Sequence, residues 1–112
     1  MHRFIALALL SPAAALAHHG WGSYDDTKVL TLSAPIETMT YENPHGELVV
    51  QFEGKSWKVV LAPPSRMLSR GLPPEMLKPG TEVQVEGYPS KAHDDEMRAE
   101  RITVAGKKVE LR

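Results

Sequence analysis

Through most of the stretch from Val29 to Leu111 the apolar residues recur at every second position, a spacing that buries one face of a strand and no face of a helix. Leu30, Leu32, Ala34 and Ile36 share one face of a long first strand over 29–41. Leu48, Val50 and Phe52 alternate with Val49, Gln51 and Glu53, and after Gly54 the pattern resumes at Trp57, Val59 and Leu61. That is a hairpin with its turn at Gly54. Val83 and Val85 mark a fourth strand that ends near Gly87-Tyr88-Pro89. Ala99, Ile102 and Val104 mark a fifth, and their change of parity predicts a bulge. Val109 and Leu111 make a short last strand.

Between the third and fourth strands the pattern breaks. Pro63 to Gly71 predicts a short helix with Ser65 as its cap and Gly71 as its end, and Pro73 to Leu77 a further turn stopped by Pro79-Gly80. Three strands, a helical insert and then two or three more strands predict an all-β domain. The expected architecture is a small five- to six-stranded OB-like Greek-key barrel over 29–112, its long first strand shared between both faces. An open sandwich of the same strands is the alternative. The length of 112 residues fits one domain, and closure lets so short a chain hide its sheet edges without disulfides, since it has no cysteine.

Residues 1–17 follow different physics. Arg3 precedes the apolar run Phe4 to Leu10, Pro12 breaks it, and Ala15-x-Ala17 supplies the small side chains that signal peptidase requires. The run is shorter than the roughly 20 residues needed to span a bilayer. A cleaved signal peptide is expected, with the mature chain starting at His18, no stable membrane anchor and a periplasmic destination. Residues 18–28 then form an arm whose Trp21 and Tyr24 dock their rings on the barrel.

Export concentrates attention on the histidines. A terminal His18 chelates a metal through its amine and imidazole together, and His19 adds a second imidazole, an arrangement suited to Cu(II), which leads the divalent affinity order and favours nitrogen donors. His45 sits in the turn Asn43-Pro44-His45-Gly46 after the first strand, and His93 in the loop before the fifth. In an OB barrel those two loops flank the usual ligand face, so the two imidazoles are expected to approach one another. The arm joins the first strand at its far end, yet its eleven residues reach up to ~36 Å when extended and can fold back. The metal ligands expected are His18, His19 and His45, with His93, Asp25 and Glu42 as additional donors or hydrogen-bond acceptors. The competing reading leaves the histidines solvated, Asn43-Pro44 as a plain turn and His93 as a loop side chain.

Other chemistries find little support. The 13 Lys and Arg balance 14 Asp and Glu, giving no field that would gather nucleic acid. No glycine-rich phosphate loop or nucleophile elbow is present. Asp94-Asp95-Glu96 lacks the alternating spacing of calcium loops, and Met39, Met67, Met76 and Met97 fit core filling better than a thioether site.

Several short motifs coincide along the chain: Ala17-His18-His19-Gly20-Trp21, Ser23-Tyr24-Asp25, Asn43-Pro44-His45, Trp57-Lys58-Val59, Ala62-Pro63-Pro64-Ser65-Arg66, Leu77-Lys78-Pro79-Gly80, Val85-Glu86-Gly87-Tyr88-Pro89 and Arg98-Ala99-Glu100-Arg101-Ile102. Together they resemble a domain-of-unknown-function family of small exported bacterial proteins that begin with a similar His-His-Gly-Trp motif. The resemblance implies an exported OB-like domain and carries over no catalytic residues.

The expected function is therefore a non-enzymatic, exported copper-binding protein. A second reading, from a different class, is an envelope module that binds a protein or small ligand through Trp21, Tyr24, Tyr41 and Arg66. A weaker third is a copper oxidase built on the terminal histidine chelate.

Overall fold

Burial follows the sequence alternation closely. A computed structural model describes residues 20–112 and shows β1 (Leu30–Thr40) with Leu32, Ala34 and Ile36 buried between exposed neighbours. The expected signal peptide, His18 and His19 lie outside the described residues. β2 (Glu47–Phe52) and β3 (Lys55–Val60) form the expected hairpin, and the turn takes positive φ at both Glu53 (52°) and Gly54 (77°). Two left-handed residues match the twist of a two-residue hairpin loop, which is why glycine sits there. β4 (Glu82–Pro89), β5 (Glu96–Val104) and β6 (Lys107–Glu110) complete the sheet.

The strand order is β3-β2-β1-β4-β5-β6, and β3 also pairs in parallel with β5 through Lys58 to Glu96, Val59 to Met97 and Val60 to Arg98. Five strands thus close into an OB-like barrel, and β6 extends β5 outside the closed ring. The open sandwich is not formed. β1 serves both halves: Leu30 to Pro35 face β4, whereas Ile36 to Thr40 face β2 across a register shift at Glu37. The bulge expected in the fifth strand is present. Arg101 faces Glu86 and Ala99 faces Gly87, leaving Glu100 as the extra residue.

The insert differs in detail from the sequence reading. α1 (Pro64–Ser69) starts at Pro64, with Ser65 already inside the helix and making no capping bond. Proline at the first position needs no donor there and already has helical φ. Met67, Leu72 and Leu77 from the insert are fully buried beside Leu48, Val59 and Met97, so it caps the barrel core. Met39 and Met76 pack partly buried against the same cluster. Each fully buried aliphatic side chain contributes about 1.5–3 kcal/mol through removal from water. The outer edge of β6 is covered by arginines from α1 and its cap: Arg70 donates to the Glu110 carbonyl at 2.7 Å and Arg66 to that of Leu111 at 3.1 Å.

Gly87 lies where β4 meets the bulge in β5. A Cβ there would collide with the Arg98 carbonyl oxygen and stand 2.8 Å from the Ala99 Cα, and neither atom belongs to a movable side chain. Gly87→Ala is therefore expected to destabilise the domain by about 3 kcal/mol, the upper range for overpacking, as read by urea unfolding.

Candidate functional site

The parallel closure of β3 on β5 brings the loop after β1 alongside the loop before β5. Between them opens a pocket of about 360 Å³ that both His45 and His93 line. Its floor comes from the outer faces of β2 and β3, through Glu47, Lys58 and Val60, and from Glu96 at the start of β5. The fourth wall is the N-terminal arm. Ser23 and Tyr24 line the pocket, and the arm is tied down by main-chain bonds: Lys91 N–H to the Ser23 carbonyl at 3.0 Å and Asp25 N–H to that of Pro89 at 2.9 Å.

Tyr24 is the arm's buried anchor, 8 % exposed, and its hydroxyl donates to Glu96 Oε2 at 2.6 Å. Burial, reinforced by the hydrogen bond to Glu96, raises its pKa well above the ordinary tyrosine value. At neutral pH the phenol is thus a neutral donor to Glu96. His45 is held differently. Its Nδ1 has no hydrogen-bond partner among the described residues, and the nearest carboxylate oxygen, Glu47 Oε2, is 3.7 Å away. Glu47 Oε2 also faces Lys58 Nζ at 3.6 Å.

Trp21 fixes the start of the arm, in a 3-10 turn over Trp21–Ser23. Arg98 and Arg112 each place a guanidinium 4.4 Å from its ring centroid, and Tyr88 meets it edge-on at 6.1 Å. Tyr88 in turn donates to Glu100 Oε1 at 2.9 Å, which Arg112 also reaches at 3.4 Å. Burial lowers the Arg98 pKa, with Tyr24 opposing that effect and Arg66 and Arg112 adding to it.

The remaining sequence candidates lie elsewhere. Asp25 accepts from Thr27 N–H and Oγ1, which lowers its pKa, and it borders a second cavity beside Trp57. Glu42 is exposed on the loop after β1 and does not line the histidine pocket. Tyr41 donates to the Leu72 carbonyl at 2.7 Å, and Arg66 to that of Leu111. Trp21, Tyr24, Tyr41 and Arg66 therefore all make contacts inside the domain. Sequence reasoning missed Glu47, Lys58 and Glu96 as pocket residues. Only Glu47 carried a signal, two positions after His45 on a strand whose other face is buried.

Among the described residues no group of three or more His, Asp or Glu side chains is arranged to hold a metal. His45 and His93 both line the pocket, and two imidazoles by themselves leave a metal's coordination incomplete. The molecule is thus a small OB-type barrel with a histidine-lined pocket on its closing seam.

It belongs to a family of unknown function (DUF6152), whose model matches residues 6–98. No curated protein matches the chain. Among solved structures it is similar to TiaS bound to tRNA and ATP, at 20 % identity over 80 % of this chain and 20 % of that one, with a TM-score of 0.52. It is also similar to ZRD-deleted TiaS with agmatine, at 20 % identity over 79 % and 25 % of the two chains, TM-score 0.51. Apo TiaS, a tRNA agmatidine synthetase, aligns at 19 % identity over 79 % and 19 %, TM-score 0.51. The chain spans a quarter or less of those proteins, and the similarity is one of fold alone.

All three tyrosines have raised pKa values, Tyr24 and Tyr41 chiefly through burial and Tyr88 chiefly through its bond to Glu100. Absorbance titration at about 295 nm should give native midpoints above the unfolded value of about 10. Because the folded state holds these protons longer, stability is intact below that pH and falls as pH rises through it. Tyr24→Phe should flatten the decline.

Proposed function

We propose that this is an exported, non-enzymatic transition-metal-binding protein, with copper as the preferred ion and His18, His19 and His45 as its ligands. The observation that carries the reading is the shared pocket: His45 and His93 line it from separate loops, and its arm wall, Ser23 and Tyr24, lies four and five residues after His19 in the chain. Gly20 accepts a 3.2 Å hydrogen bond from Ser23 N–H, which lines the pocket.

The donor set suits the ion. Imidazoles and a terminal amine are nitrogen ligands of the kind Cu(II) prefers. When His45 binds through Nε2, its Nδ1–H faces the Glu47 carboxylate, an arrangement that orients a ligand imidazole and raises its basicity. His93 supplies a fourth imidazole at the rim. Lys58 next to Glu47 disfavours additional cations on that side. The reading includes export to the periplasm, with removal of residues 1–17 creating the terminal amine of the chelate.

Native mass spectrometry of the protein exported by its own signal, with one equivalent of Cu(II), tests both parts together. The expected species begins at His18 and retains one copper. His18→Ala combined with His19→Ala should weaken Cu(II) binding by at least about 100-fold, beyond what outer-shell changes cost, and His45→Ala by about tenfold. Asp25→Asn, on the other cavity, should leave affinity unchanged. A processed protein that retains no copper overturns the reading.

A further inference from the structure

We infer that the open end of the barrel is a second binding site, separate from the histidine pocket, whose ligand is a neutral saccharide seated against Trp57, Leu30 and Pro89. The inference does not rest on the metal-binding reading, since Ser90 alone lines both cavities.

The two ends of the barrel are finished differently. At one end the insert buries Met67, Leu72 and Leu77 completely. At the other, Leu30 at the start of β1, Trp57 near the start of β3 and Pro89 at the end of β4 line a cavity of about 510 Å³. Leu30 and Trp57 pack against the core yet stay partly exposed, so the cavity has an apolar floor that water reaches. Barrel mouths are a recurrent place for small-molecule sites, which typically measure about 300–1,000 Å³. The floor is held before any ligand arrives. Lys55 lays its ammonium 4.3 Å from the Trp57 ring centroid and donates to the Asp94 carbonyl at 2.5 Å, which joins β3 to the loop before β5. Lys58 N–H donates to the Asp95 carbonyl at 2.8 Å, and Thr27 N–H and Oγ1 both donate to Asp25 Oδ1. Walls fixed in this way reduce the ordering that binding would otherwise require.

The rim selects the class of ligand. Around the apolar floor stand Asp25, Asp94, Lys28 and Lys91, whose formal charges cancel. Lys28 Nζ lies 3.9 Å from Asp25 Oδ2, so part of that balance is already made within the rim. A ligand with net charge of either sign is drawn to one pair of these residues and repelled by the other. A purely apolar ring strips water from four charged groups and returns no hydrogen bond. A sugar ring satisfies both surfaces at once. Its C–H face covers the apolar floor, while its hydroxyls donate to the carboxylates and accept from the ammonium groups.

The test is an NMR titration of the isotope-labelled protein, following the backbone amides and the indole N–H signals, with cellotriose, maltotriose and triacetylchitotriose as probes. At least one of these should give saturable shifts at the Trp57 indole and at the amides of Leu30, Ser90 and Lys91, with a Kd on the order of 1 mM. The Trp21 indole should not move. Trp57→Ala is expected to weaken binding about tenfold, and His45→Ala to leave it unchanged. Asp94→Ala keeps the main-chain carbonyl that holds Lys55; it should weaken binding several-fold, and it carries the test if Trp57→Ala does not fold. Trigalacturonate, phenylalanine and indole provide the charged, zwitterionic and purely aromatic alternatives, and each should bind more weakly than the best neutral saccharide. Tighter binding of any of these three overturns the ligand class. No saturable shift with the neutral saccharides, or shifts that Trp57→Ala and Asp94→Ala leave unchanged, overturns the site itself, and neither result bears on copper.

Discussion

The parallel pairing of β3 with β5 is the contact on which the rest of the molecule depends. Three residue pairs, Lys58 with Glu96, Val59 with Met97 and Val60 with Arg98, turn a curved sheet into a barrel. Val59 and Met97 point inward there and are wholly buried, so closure and core formation are one event. Closure demands strong curvature, and the chain supplies it at two irregular positions, Glu37 in β1 and Glu100 in β5. Gly87 permits the close approach of β4 to the second of these. The insert then seals the barrel with Met67, Leu72 and Leu77, and its arginines cover the edge that β6 leaves open.

The same seam makes the pocket. Strand pairing in parallel places the start of β5, with Glu96, beside the middle of β3, and so sets the loop carrying His93 near the one carrying His45. The arm lies along this seam and is bonded to it by backbone and side chain, through the Tyr24 to Ser90 bridge and the Tyr24 to Glu96 hydrogen bond. Val60, on the outer face of β3, is only 2 % exposed. An outward-facing valine becomes part of the interior of the assembly of arm and barrel. That arrangement links the arm's anchor, the pocket's shape and the position at which the histidine pair joins the domain.

Particular residues mark how far the fold could be read beforehand. The hairpin turn at Gly54 was legible because positive φ favours glycine, and the bulge in β5 because Ala99 and Ile102 differ in parity. The equivalent irregularity at Glu37 was written in the same way, with Met39 out of step with Ile36, but it falls in a long strand whose alternation is otherwise regular. Ser65 resembles a helix cap, yet Pro64 starts the helix, since the preceding Pro63 already sets the chain extended. In the pocket, the shared lining by His45 and His93 followed from their loops. Glu47, Lys58 and Glu96 did not, because a charged residue on an exposed strand face carries no local mark of what lies opposite.

By itself the sequence determined the strand segments, the helical insert and the burial face of each strand, because a period of two admits one inward set of residues per strand. It also determined that histidine is the chain's strongest nitrogen donor and that no thiolate is available. Tertiary structure decided which loops meet, that Trp21 is gripped by Arg98 and Arg112, and that Tyr24 is buried against Glu96. These pairings join residues far apart in the chain. Their distances are set by barrel closure and strand register, quantities that depend on all the strands at once and are encoded in no single segment.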